Sequence, residues 1–418
     1  MPQERSPRLN VNIIRHNRVK MLITLVAFSC SIVQSEQYVF AMTVPQPKDR
    51  WTVLETRGSE AIDANQYWIA EPALLQALDI AEKSGPVDLR LANSLGELGR
   101  LYTIRGNYSK AEPYLEEELR IKEQLFEGSM GDLVPAMGTL ISFYLTEDAA
   151  SKADPLAEQL LALVEERLRD PGSLLKTTVK LKKGAPLQGW AGTAAPVAYD
   201  KLVECAVTLD SLGDEYRQRK NFDLADKLYK AALDLKSTVF GKQHLSLGNS
   251  YDRLGSLCLV KNDTAEAESY LKDSLAITEK IQPSDSPEVY GRLDHLAKCL
   301  IKEDKYQQAE DLYIRAQSFW KDEPCNNGND ARASYALGSL YADEKKYEAA
   351  APLLQHALQL AEQYNGPASI DLVPYLQRYA YVLYYLGQKP ESDQLKLRAD
   401  NISGASNIAA DTDQPQTK

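Results

Sequence analysis

A short segment returns eight times along this chain, and that recurrence limits the fold more than any other feature of the sequence. Gly106-Asn-Tyr108-Ser-Lys-Ala111-Glu-Pro113 is echoed by Asn65-Gln-Tyr67-Trp-Ile-Ala70-Glu-Pro72, Lys220-Asn-Phe222-Asp-Leu-Ala225-Asp, Asp304-Lys-Tyr306-Gln-Gln-Ala309-Glu and Lys345-Lys-Tyr347-Glu-Ala-Ala350. Weaker copies centre on Ala153, Ala267 and Ser392. The anchors at 70, 111, 153, 225, 267, 309, 350 and 392 lie 41 or 42 residues apart, except for one gap of 72. A fixed period of this length marks one supersecondary unit per repeat, and such a unit cannot bury its apolar face without neighbours.

Each copy reads as two amphipathic helices. Twelve residues before most anchors stands a small residue (Gly58, Gly99, Gly213, Gly255, Ala297, Gly338, Ala380), often preceded by Leu and followed three later by Tyr, as in Leu98-Gly99 with Tyr102. Beyond the anchor, apolar residues fall at helical period, as in Ala225, Tyr229, Ala232 and Leu233. Gly85-Pro86, Gly128, Gly241, Pro283, Pro324 and Gly366-Pro367 punctuate the helices. Ser286-Pro287-Glu288 has the order of an N-cap, a first-turn proline and a first-turn acid. Stacked helix pairs also remove a conflict of size, since 418 residues exceed what one ordinary core accommodates.

The succession Leu-Gly, Tyr, Gly-x-Tyr, Ala, Tyr, Ala resembles the tetratricopeptide repeat, and the 42-residue period with Ala-Glu-Pro is similar to the longer variant seen in kinesin light chains. The resemblance covers about residues 50–400. It implies an all-α, right-handed α-solenoid of about eight helix-turn-helix repeats with one insertion, and a binding scaffold in place of an enzyme. Some copies depart from the pattern: Ala61 stands for the usual Tyr in the first, Ile141 and Ala150 replace the Gly and Tyr of the third, and Ser392 replaces the anchor Ala of the eighth.

Five domains follow from this reading: a signal peptide over 1–41, repeats one to three over 45–169, an insertion over 170–199, repeats four to eight over 200–400, and a disordered tail over 401–418. Arg5, Arg8, Arg15, Arg18 and Lys20 precede a thirteen-residue, mostly apolar run from Met21 to Val33, in the order of a bacterial-style secretory signal. Val39-Phe-Ala41 offers the better cleavage site, which predicts an exported, periplasmic or extracellular protein with no membrane span after cleavage. The alternative is an uncleaved signal anchor, and a start at Met21 would remove the basic region. Lys176, Lys180, Lys182 and Lys183 make the insertion basic, either as a flap that contacts a partner or as a tolerated surface loop. Cys205, Cys258, Cys299 and Cys325 remain after cleavage; packing is the favoured role, with one disulfide left open.

No chemistry-bearing constellation emerges. His16, His244, His295 and His356 are scattered, and there is no phosphate loop, nucleophile elbow or paired cysteine, so no catalytic residue, metal or cofactor is expected. The net charge is −11, and residues 1–41 carry five basic and two acidic side chains, leaving −14 on the remainder. Such a body repels nucleic acid and anionic lipid.

The resemblance also implies that the first helix of each pair lines a concave groove, with the position three before the small residue facing it. That position holds Asp210, Asp252 and Asp294 in three successive copies, a ladder suited to a basic protein or peptide partner, or to pairing with Arg217, Arg253 or Lys298 inside the array. Tyr381, Tyr384 and Tyr385 face the groove by register, with Tyr335 of the preceding copy beside them. These rings suit a partner hot spot, a glycan-recognising surface of an envelope accessory protein, or a cap on the end of the solenoid.

Overall fold

The computed structural model describes residues 49–126, 129–169, 194–319 and 328–412. Residues 1–41, read above as a signal peptide, residues 170–193 with their four lysines, Pro324, Cys325 and residues 413–418 lie outside the described residues. Sixteen α-helices and no strands occur among those described. They form eight consecutive hairpins: α1 (Arg50–Asp63) with α2 (Tyr67–Glu82), α3 (Leu89–Ile104) with α4 (Tyr108–Leu125), α5 (Met130–Thr146) with α6 (Ala150–Leu168), and α7 (Ala194–Gln218) with α8 (Phe222–Phe240). Then follow α9 (Leu245–Lys261) with α10 (Thr264–Ile281), α11 (Pro287–Lys302) with α12 (Tyr306–Ser318), α13 (Asn329–Asp343) with α14 (Tyr347–Asn365), and α15 (Val373–Tyr385) with α16 (Lys389–Thr412). Odd-numbered helices are called A and even-numbered B below.

One turn serves all eight hairpins. The residue five before each anchor, namely Asn65, Gly106, Asp148, Lys220, Asn262, Asp304, Lys345 and Gly387, has positive φ between 57° and 82°. The next amide then reaches back five residues to a carbonyl of the A helix, from Gln66 to Ala61 at 2.7 Å through Gln388 to Leu383 at 2.9 Å. This is the Schellman arrangement, which satisfies carbonyls that the helix end would leave without donors. Six of the eight residues there are not glycine. A left-handed conformation costs an L-residue about 1–2 kcal/mol, of which glycine's extra chain entropy returns part. Lys220→Gly and Lys345→Gly should therefore each stabilise the protein by about 0.5–1 kcal/mol, read as a rise in urea midpoint at constant m-value.

The small residue of helix A admits a large one from helix B sixteen positions later. A Cβ built on Gly58, Gly99, Gly255 or Gly338 would lie 2.4–2.9 Å from Leu74, Leu115, Leu271 or Leu354, and on Gly213 it would lie 2.5 Å from the Tyr229 ring. The third repeat exchanges the two sizes: buried Ile141 takes the glycine place, and buried Ala157 stands sixteen residues on.

Across the insertion, α5 packs directly on α7 and α6 on α8. Gly131 meets Lys201 and Gly138 meets Thr208, a constant offset that sets the two A helices side by side in parallel. Ser142 donates to Glu215 at 2.8 Å, and the Asp132 carboxylate pairs with Lys201. One hydrophobic core accordingly runs from Ala61 to Leu257, so the insertion does not interrupt the buried layer. The array begins again at Ala194, six residues ahead of the boundary read from sequence. At the other end α16 passes Asn401, where sequence placed the start of a tail, and continues to Thr412. Ile402 is buried against the layer containing Leu372 and Leu376, which explains why the helix does not stop at the last periodic residue. Cys205, Cys258 and Cys299 are free and buried, and loss of solvation pushes the thiols of Cys258 and Cys299 up to about 11.

Candidate binding groove

Successive A helices share one wall of the array. In repeats one to four this wall forms a cavity of about 540 Å³ lined from α1, α3, α5 and α7, with Glu118 and Lys122 reaching in from α4, where six carboxylates (Glu55, Glu60, Asp63, Glu97, Glu118, Glu204) face two cations, Arg100 and Lys122. Trp51 Nε1 donates to Ser94 Oγ at 3.0 Å, and Ser94 in turn donates to Glu55 Oε2 at 3.0 Å. Burial raises the Glu55 carboxyl to about 7, against the opposing effect of the Ser94 bond. Burial raises Glu97 as well, with Arg100 at 3.6 Å pulling the other way. Glu55 occupies the same repeat position as Asp210, Asp252 and Asp294, so carrying that register back to the first copy locates it.

The wall changes character in repeats four to six. A cavity of about 400 Å³ is lined by Asp214, Arg217, Asn249, Asp252, Arg253, Ser256 and Arg292. Of the three expected aspartates, Asp210 is 7% exposed and meets the Lys236 ammonium, itself buried, while Arg253 stands at 3.4 Å. Lys236 also donates to Ser250 Oγ at 2.7 Å, and burial draws its pKa down. Asp252 pairs with Arg292 at 2.8 Å and with His295 Nδ1 at 2.8 Å. Asp294 pairs with Lys298 at 2.7 Å and accepts the Tyr313 hydroxyl at 3.2 Å. The three carboxylates thus keep their common register, each against the protein's own donors.

At the C-terminal end Tyr381, Tyr384 and Tyr385 are 40%, 47% and 54% exposed. Tyr385 stacks on Tyr347 at 4.9 Å and tilts against Tyr381 at 4.8 Å, and Tyr384 meets it edge-on at 5.5 Å. Tyr335 packs instead on Tyr375 at 4.7 Å. Tyr347, which the sequence reading left within the turn motif, therefore completes the cluster. Arg378 lies over Tyr381, and Lys389 and Lys396 lie over Tyr384, at 5.2–5.7 Å.

No group of His, Cys, Asp and Glu among the described residues is arranged to hold a metal ion, and no helix among them is long and apolar enough to cross a membrane. No curated protein matches the chain. Among solved structures, BtubC (BKLC) from P. vanneervenii is similar at 20% identity, covering 63% of this chain and 95% of its own, with a TM-score of 0.45. The TPR-like repeats of a Podosopora anserina protein assigned as a kinesin light chain are 16% identical, covering 48% and 95%, with a TM-score of 0.42. YrrB, described as a TPR protein with an unusual peptide-binding site, is 18% identical, covering 51% and 97%, with a TM-score of 0.32. A family profile matches residues 63–124, 204–280 and 290–363, about half of the chain. With eight stacked hairpins built on one recurring turn, this chain belongs to the tetratricopeptide repeat family.

Proposed function

We propose that this protein is an exported, non-enzymatic scaffold that holds a peptide or protein partner against the wall formed by its A helices. The supporting observation is that wall itself, where charged side chains from consecutive repeats converge on two open cavities. A surface assembled from many repeats suits an extended segment, because each repeat adds a few contacts without a deep pocket. Export after cleavage behind Ala41 rests on the basic and apolar order of the N-terminal residues. Asp210, Asp252 and Asp294 belong to the wall as fixed supports for the cations around them, and Tyr381, Tyr384 and Tyr385 supply its aromatic end. A second reading, a saccharide ligand for that end, is favoured by the exposure of the three rings.

The experiment places a photo-crosslinking amino acid at Ser256 on the A wall or at exposed Asp273 on helix α10, in the full-length protein produced in its own envelope. Capture of one partner from Ser256 but not Asp273, by a protein whose first residue is Met42, is the expected result. Tyr381→Ala with Tyr385→Ala should weaken that capture about tenfold or more, as losing exposed aromatic anchors does. Capture from Asp273 alone would sink the groove reading. Unchanged capture with loss of binding to a glycan panel would move the tyrosines to the second reading.

A further inference from the structure

The central cavity holds more positive charge than it neutralises. Asp214 is fully engaged: its Oδ1 accepts the Tyr229 hydroxyl at 2.6 Å, and its Oδ2 accepts Arg253 Nη2 at 3.2 Å and Nε at 3.3 Å. Arg217 consequently stands 3.9 Å from Asp214, too far for a hydrogen bond, with 40% of its side chain exposed. Asp252 is divided between Arg292 and His295, and the Nε of Arg292 finds no acceptor. Asp210 is divided between Lys236 and Arg253, whose Nη1 stands 3.4 Å from it. Three guanidiniums and the Lys236 ammonium thus face three carboxylates, Asp210, Asp214 and Asp252, which leaves one positive charge over, with Arg217 bonded to the Tyr229 hydroxyl and to no carboxylate.

We propose that this cavity is an oxyanion site, which takes the carboxylate or phosphate of an acidic side chain on the segment held in the groove. The inference rests on the groove reading above and names its chemistry. A guanidinium presents paired N–H groups that match both oxyanions, and Arg217 can turn that fork outward while Arg253 and Arg292 hold the positive field behind it. The acidic cavity of repeats one to four repels the same group, which confines the acidic side chain to repeats four to six. A basic partner, expected from the aspartate ladder alone, is disfavoured here because those carboxylates are matched by the protein's own Lys236, Arg292, His295 and Lys298.

The test selects a random peptide display library on the full-length protein and on Arg217→Glu. Peptides enriched in Asp and Glu on the first, and in Lys and Arg at the same place on the second, are expected. A selected acidic peptide should bind Arg217→Ala at least about tenfold more weakly, with an unchanged thermal midpoint, and should lose as much when its acid becomes the amide. A phosphoserine version that binds more tightly than its glutamate counterpart, with inorganic phosphate competing, identifies phosphate as the natural group; the reverse order identifies the carboxylate. Peptides selected without acidic bias, or with a bias that Arg217→Glu leaves in place, overturn the oxyanion site and leave the groove reading standing. Failure of both proteins to select any peptide overturns both.

Discussion

Gly213→Val should destabilise the protein by about 3 kcal/mol or more, while Gly291→Ala, only two repeats further along, should stabilise it by about 0.8 kcal/mol. The contrast comes from what waits beyond each Cα. At Gly213 the new Cβ would lie 2.5 Å from one ring carbon of Tyr229 and 2.6 Å from another. That ring cannot step aside, because Tyr229 is wholly buried and its hydroxyl is bonded to Asp214 at 2.6 Å. Overfilling a close-packed interior typically costs 1–3 kcal/mol, and two further methyl groups against a fixed ring place the variant at or above the upper end. At Gly291 nothing lies within 4 Å of the added carbon, so only the better helix propensity of alanine is felt. Urea melts of the two variants decide the matter, and equal losses in both would show that the A-to-B contact is not what the glycine protects.

Stability of the first hairpins should fall by about 2 kcal/mol between pH 4.5 and 7, and Glu55→Gln should abolish most of that slope. Burial lifts the Glu55 carboxyl from 4.5 to about 7 in the folded protein. Within that window the folded chain keeps a proton that the unfolded chain has released, so unfolding is a deprotonation and higher pH favours it. The contribution is fully present below pH 4.5 and gone above about 7. Each unit corresponds to about 1.4 kcal/mol, and the solvent reaching this open cavity screens part of it. Because a solenoid opens from its ends, amide exchange in α1 to α4 at pH 5 and pH 8 should register the effect before the centre does. A slope identical in Glu55→Gln would remove Glu55 as its source.

Much of the architecture was legible from one period. Eight hairpins, their phase and their close A-to-B contact follow from the anchors and the small residues twelve positions earlier. Ile141 was visible as an exception, but its compensation by Ala157 was not, since that requires knowing that positions sixteen apart meet. The family profile omits residues 125–203, the stretch holding this exchanged pair. Groove chemistry was only half legible. Register told which carboxylates share a wall, but not which neighbour folds over them. Those neighbours recur one residue beyond a full repeat: Asp210 with Arg253, Asn249 with Arg292, Asp252 with His295, and the Leu259 carbonyl with Lys302 are all 43 apart. Pairing across repeats is a property of the stacked array, and no single copy carries it.

The same amide-to-carbonyl closure shapes the edge where each A helix gives way to its B helix, whether lysine, asparagine, aspartate or glycine occupies the left-handed place, with Asn65 and Asp304 adding a side-chain bond from Tyr67 and Tyr306. Mutation can therefore repaint that rim, altering its charge or adding a modification site, without redrawing the frame beneath. The inner wall has less freedom, because exchanging Arg253, Arg292 or His295 there unbalances a partner one repeat away.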